Sequence, residues 1–106
     1  MVGKILIVDG VATNRIVLKV RLASACYETI QAETAAQGLT LARSHRPDAI
    51  LLDVGLAAPS CVEMCRTLRR DPRTRRLPVI VHRLTLDQLT IRLRLGQAIY
   101  VLALSQ

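Results

Sequence analysis

The chain has 106 residues, 51% of them hydrophobic and 22% charged, with a formal net charge of +7. That composition suits one globular domain with a single core, and no apolar run approaches the ~20 residues that a membrane span requires. MVGK at the start lacks the long apolar stretch of a secretory signal, so the cytoplasm is the expected location.

The first apolar run, Ile5–Val8 within KILIVDG, has no polar alternation and stops at Asp9, which Gly10 follows. Such a run reads as a strand buried on both faces. A helix is expected over about Ala12 to Ala25, where Ile16, Val20 and Ala23 recur at helical spacing. Tyr27–Ala32 reads as the second strand. Thr34 with Gln37 then forms a capping box, a hydroxyl and an amide that satisfy two orphan N–H groups reciprocally, and opens a helix that stops at Arg46-Pro47.

AILLDVG repeats the opening shape, because the strand Ala49–Leu52 again ends at a carboxylate, Asp53. Ser60 with Glu63 opens the third helix and Asp71-Pro72 ends it. Val79–Val81 is the fourth strand, Thr85 with Gln88 opens a fourth helix ended by Gly96, and Ile99–Leu102 is the fifth strand. This alternation implies a parallel sheet covered by helices on both sides. Ligands of such sheets bind at the carboxyl ends of the strands. Asp9 and Asp53 stand at two of those ends, and their carboxylates converge if the strands are neighbours.

Cys26, Cys61 and Cys65 are odd in number and have no CxxC spacing, so reduced, buried thiols are expected. Six arginines lie between Arg66 and Arg76. They raise the question of nucleic acid, but no aromatic residue lies among them to stack a base. The preferred reading is a solvated helix end and loop, with cations favoured near a helix C-terminus. A metabolic enzyme is the least expected reading. No nucleophile–base pair or Gly-rich phosphate loop is present, His45 reads as a helix end and His82 as a strand residue.

KILIVDG-VATNR, RPDAILLDVGL and VEMCRTLRRDPRTRRLPVI together resemble the receiver domain of two-component response regulators. The likeness is greatest to receivers that precede diguanylate cyclase domains in alphaproteobacterial signalling proteins. It covers nearly the whole chain. The resemblance implies a flavodoxin-like, doubly wound α/β fold with five parallel strands in the order 2-1-3-4-5. It also implies that Asp53 is the position phosphorylated by a histidine kinase. Magnesium would be held by Asp9, Asp53 and the Gly55 carbonyl, because carboxylate and phosphate otherwise repel each other.

Several positions depart from the family's pattern. Gly10 stands where a second acid is usual. Arg83 occupies the position of a phosphoryl-binding hydroxyl, and Ala103 that of a phosphoryl-binding lysine; no lysine follows Lys19. Thr85 could offer a hydroxyl two residues on, but it is already committed to its capping box. The Arg83 guanidinium, placed at a strand tip, could reach Asp53 and stand in for metal and lysine, or equally could point into water. Tyr100 holds the place of the family's switch aromatic and is expected to be packed and static.

Receivers usually end with a fifth helix, which this chain lacks. A single receiver-like domain over residues 1–106 is therefore expected, either a fragment of a longer protein or a domain without that helix. An apolar strip around Leu51, Ile80 and Val101 would then lie bare, to be covered by a homodimer partner or a second domain. Three functions follow. The first is a receiver with eroded phosphorylation machinery that binds magnesium weakly or not at all and acts through protein contacts with a kinase, an output domain or a second receiver. The second is a receiver still competent to accept a phosphoryl group on Asp53. The third is an arginine-rich nucleic-acid module.

Overall fold

The computed structural model describes residues 3–53, 55–56, 61–84, 88–95 and 98–105, those from residue 82 onward by their backbone alone. In chain order the elements are β1 (Gly3–Val8), α1 (Ala12–Ser24), β2 (Tyr27–Ala32), α2 (Ala35–His45), β3 (Ala49–Asp53), α3 (Cys61–Arg70), β4 (Val79–Leu84), β5 (Gln88–Leu95) and β6 (Ala98–Ser105). The sheet order is β2-β1-β3-β4-β5-β6. β1 lies between β2 and β3 in parallel register, with Val8 level with both Ala32 and Leu52. β4 extends the parallel set beside β3, with Leu52 level with Val81 and Asp53 level with His82. The parallel order 2-1-3-4 is the one expected.

Alternate residues of β1 and β3 feed two separate cores, which is why their sequences show no polar face. Leu6, Val8, Ile50 and Leu52 pack with Ala35 and Ala42 of α2 and with Met64, Cys65 and Leu68 of α3. Ile5, Ile7 and Leu51 face the other way and pack with Leu18 of α1. Right-handed crossovers place one helix on one face and two on the other. α2 approaches β1 so closely that a Cβ on Gly38 would lie 2.8 Å from Cγ2 of Val8.

The start of α2 is capped as its sequence predicts. Gln37 N–H donates to Thr34 Oγ1 at 3.1 Å, and Gln37 Oε1 accepts from the Glu33 N–H at 2.8 Å, one residue earlier than the usual return bond. Ser60 and Thr85 lie outside the described residues.

Several expectations need correction. The apolar stripe of α1 is not its buried face: Ile16 and Val20 are 59% and 60% exposed, whereas Leu18 is buried. Leu18 and Leu22, packed in the core, mark the buried side, which Arg15 shares. Its Nη1 donates to the Asp9 carbonyl at 2.8 Å, and residues 15, 18 and 22 share one side of a helix. Leu51 is not bare, because α1 covers it to 2% exposure; Ile80 is half-buried, and the Val101 side chain is outside the described residues. Of the three free cysteines only Cys65 is buried; Cys61 is half-buried and Cys26 exposed.

The largest difference lies after β4. In place of a fourth helix and a parallel fifth strand, β5 and β6 add to the sheet as antiparallel neighbours, Val79 level with Arg94 and Leu95 level with Ala98. The reason is visible in QLTIRLRL, residues 88–95, where polar and apolar residues alternate strictly. A period of two suits a half-buried strand and scatters apolar residues around a helix. Two residues, Gly96 and Gln97, separate β5 from β6 in the sequence, a length that hairpins favour. Among the described residues no helix is long and apolar enough to cross a membrane.

Candidate functional site: the acidic ends of β1 and β3

Asp9 follows the last residue of β1 and is fully buried. Its N–H donates to the Ala32 carbonyl at 3.1 Å, which extends the β1–β2 ladder by one bond. Its Oδ1 accepts the Val11 N–H at 2.9 Å and lies 3.5 Å from Asn14 Nδ2. The first contact is an Asx turn that bends the chain from β1 into α1. Asp9 is thus a ligand candidate and also the hinge of the loop. Arg15, 13% exposed, spans from the Asp9 carbonyl to Glu33, with Nη2 3.6 Å from Oε1. It brings a fixed positive charge to the same strand ends. Nothing in the sequence marks Asn14, Arg15 and Glu33 for this place beyond polarity beside a strand end.

Asp53 is the last residue of β3, half-buried at its carboxyl tip. Gly55 N–H donates to its Oδ1 at 3.0 Å. Its carbonyl accepts Leu56 N–H at 3.3 Å and the Cys61 thiol at 3.4 Å, which ties the tip of β3 to the start of α3. Val8 and Leu52 are register partners on adjacent strands, so Asp9 and Asp53 follow at the same level. Neighbouring strands run ~4.8 Å apart. The two carboxylates therefore belong to one end of the sheet, as their positions in the sequence imply.

The other positions are placed by backbone only. Arg83 stands inside β4, one residue past His82, the register partner of Asp53, and pairs with Thr90 of β5. Ala103 pairs with the same Thr90 from β6, and Tyr100 pairs with Leu93. Ala103 is thus one strand further from β4 than a parallel fifth strand would have put it. The contact expected between Arg83 and Asp53 lies outside the described side chains. Gly10 lies beside Asp9, where an added Cβ would meet only the Glu33 carbonyl oxygen, at 3.7 Å.

A family model for the response regulator receiver domain matches residues 5–98. This chain belongs to that family. It is 43% identical over 82 residues to the phosphate regulon transcriptional regulatory protein PhoB of Pseudomonas aeruginosa, covering 76% of this chain and 36% of that one. It is 36% identical over 81 residues to the response regulator PleD of Caulobacter vibrioides, covering 76% of this chain and 18% of PleD. The chain therefore spans about a third of one relative and under a fifth of the other. Among solved structures it is similar to the receiver domain of the sensor histidine kinase PA1611 from Pseudomonas aeruginosa, at 29% identity and a TM-score of 0.70, with 74% of this chain and 65% of that one covered. That receiver holds a magnesium ion in its active-site cleft.

Among the described residues no group of three His, Cys, Asp or Glu side chains stands where it could hold a metal ion. Two acids, Asp9 and Asp53, share the end of the sheet, and Gly10 contributes no third. Magnesium demands near-octahedral oxygen ligation and gives up water reluctantly, so a site with fewer carboxylates would hold it more through water than through protein.

Proposed function

We propose that this receiver has weakened phosphoryl chemistry and works mainly through protein contacts, as an adaptor or dimerisation module in a two-component pathway. The observation that carries this reading is Gly10. An added Cβ there would touch the Glu33 carbonyl at an ordinary 3.7 Å, so packing does not forbid an acid at this position. Its absence removes a ligand that the resemblance implies, and among the described residues no third acid stands with Asp9 and Asp53 where it could hold a metal ion.

Phosphoryl transfer onto Asp53 brings two anionic groups together, and the family offsets their repulsion with a metal and a lysine. The lysine is missing from the whole chain beyond Lys19. Arg15 offers a positive charge, but its guanidinium is already engaged by the Asp9 carbonyl and Glu33. The contact surface we favour is the outer face of α1, where Ile16, Val17 and Val20 are 59%, 39% and 60% exposed. Its partner would be a histidine kinase, a second receiver, or an output domain such as a diguanylate cyclase, in the cytoplasm.

A phosphorylation-competent receiver is the second reading, favoured by Asp53 itself, half-exposed at a strand tip. The test is incubation with magnesium and a small phosphodonor, read by intact-mass spectrometry beside a typical receiver. Little or no added phosphoryl group is expected. A full gain that disappears in Asp53→Asn would overturn the first reading and establish the second.

A further inference from the structure

The carboxyl ends of α2 and α3 meet at the end of the sheet opposite Asp9 and Asp53, since each helix there runs back to the start of the next parallel strand. Arg43, Thr67, Arg70, Asp71, Pro72 and Arg73 line an open depression of about 540 Å³ at this place. Asp71 organises it. Its Oδ2 accepts Nε of Arg43 at 2.9 Å and Nη2 of Arg73 at 2.9 Å, and its Oδ1 accepts Nε of Arg73 at 3.1 Å. Arg43 comes from α2 and Arg73 from the loop after α3, so one carboxylate aligns guanidiniums from two elements.

That carboxylate does not exhaust them. Among the described residues both Nη groups of Arg43 and Nη1 of Arg73 make no bond, and Arg70 pairs with nothing. Three arginines thus line a depression whose one acidic residue is Asp71. The partial negative charge of the two helix ends, about half a unit each, reduces the excess without cancelling it. Arginine forks held in place by a carboxylate are preorganised for bidentate contact with phosphate oxygens. The volume falls within the range of small-ligand sites, ~300–1,000 Å³.

We propose that this depression binds a compact di- or triphosphate group. A nucleic-acid strand fits less well: the only aromatics in the chain, Tyr27 and Tyr100, do not line the site, and the guanidiniums of Arg43 and Arg73 meet on one carboxylate instead of following a backbone.

The test is an amide-shift titration by NMR with inorganic tripolyphosphate at low ionic strength, with ATP and a short duplex DNA as further arms. Tripolyphosphate should shift amides at residues 43–46 and 67–73. Arg70→Gln, which removes no internal bond, should weaken binding roughly tenfold, the size of one lost charge-assisted contact. Lys19→Gln removes the same charge from α1 and should leave affinity unchanged. ATP binding more tightly than tripolyphosphate at these amides would assign a nucleotide, and equal affinity would assign the phosphate chain alone; both support the site. Equal losses in Arg70→Gln and Lys19→Gln, no shifts at these amides, or tighter binding of the duplex would overturn it.

Discussion

Replacing a mid-helix glycine by alanine ordinarily stabilises a helix by about 1 kcal/mol, and Gly38 in α2 should do the reverse. Its new Cβ would lie 2.8 Å from Cγ2 and 3.2 Å from Cγ1 of Val8, and 3.0 Å from Cε of Met64. The methionine end can swing away. Val8 cannot: it is β-branched, fully buried, and paired on both sides in the middle of the sheet. Overpacking a tight core costs ~1–3 kcal/mol. Set against the helical gain, the net loss should be about 1 kcal/mol, or a fall in Tm of about 4–5 °C in a domain of this size. Val8 also precedes Asp9, so the strain is applied one residue from the site. The assay is thermal and urea unfolding of Gly38→Ala, Val8→Ala and the double variant. With Val8 trimmed, Gly38→Ala should turn neutral or stabilising, giving a coupling of about 1 kcal/mol or more. A stabilised single variant, or strict additivity in the cycle, would refute the reasoning.

Cys26 and Arg46 follow α1 and α2 with φ of 68° and 46°. Left-handed backbone is costly for side chains and free for glycine, so Cys26→Gly and Arg46→Gly should each raise stability by about 0.5–1 kcal/mol in urea melts. Arg73, through side-chain and backbone hydrogen bonds, with Arg43 adding to them, holds Asp71 well below the usual carboxylate range. A folded-state value below the unfolded one means that this stabilisation is complete above the unfolded pKa of about 3.9 and is lost as pH falls below it; Asp71→Asn should flatten the acid limb of Tm against pH. Gly10→Asp should fold and raise magnesium affinity by roughly tenfold, the size of one added ionic ligand, measured by calorimetry. An unchanged affinity would mean that the acids of β1 and β3 do not share an ion.

Much of this molecule can be read from local pattern. Apolar runs without polar alternation, such as ILIV and ILL, belong to strands covered on both faces, and that alone places Asp9 and Asp53 at the carboxyl ends of strands. Thr34 and Gln37 announce a helix start because capping involves neighbours in the chain. The alternation of QLTIRLRL is equally local, and it outweighs the three-residue spacing of Thr85 and Gln88 that suggested a helix. What pattern could not supply was every feature that depends on contacts distant in sequence. Ile16 and Val20 look like a core stripe, but the fold buries Leu18 and Leu22 on the other side of α1, from which Arg15 reaches the Asp9 carbonyl and Glu33. The arginines from Arg66 to Arg76 look like one solvated run. In the fold Arg69 holds the Arg75 and Leu77 carbonyls, Arg73 joins Arg43 on Asp71, and Arg70 faces an open depression. Hydrophobic period is a property of a segment, and so the sequence determined which segments are strands and helices. Helix rotation, charge pairing and the neighbours of each strand depend on which surfaces meet, and only the tertiary structure decided them.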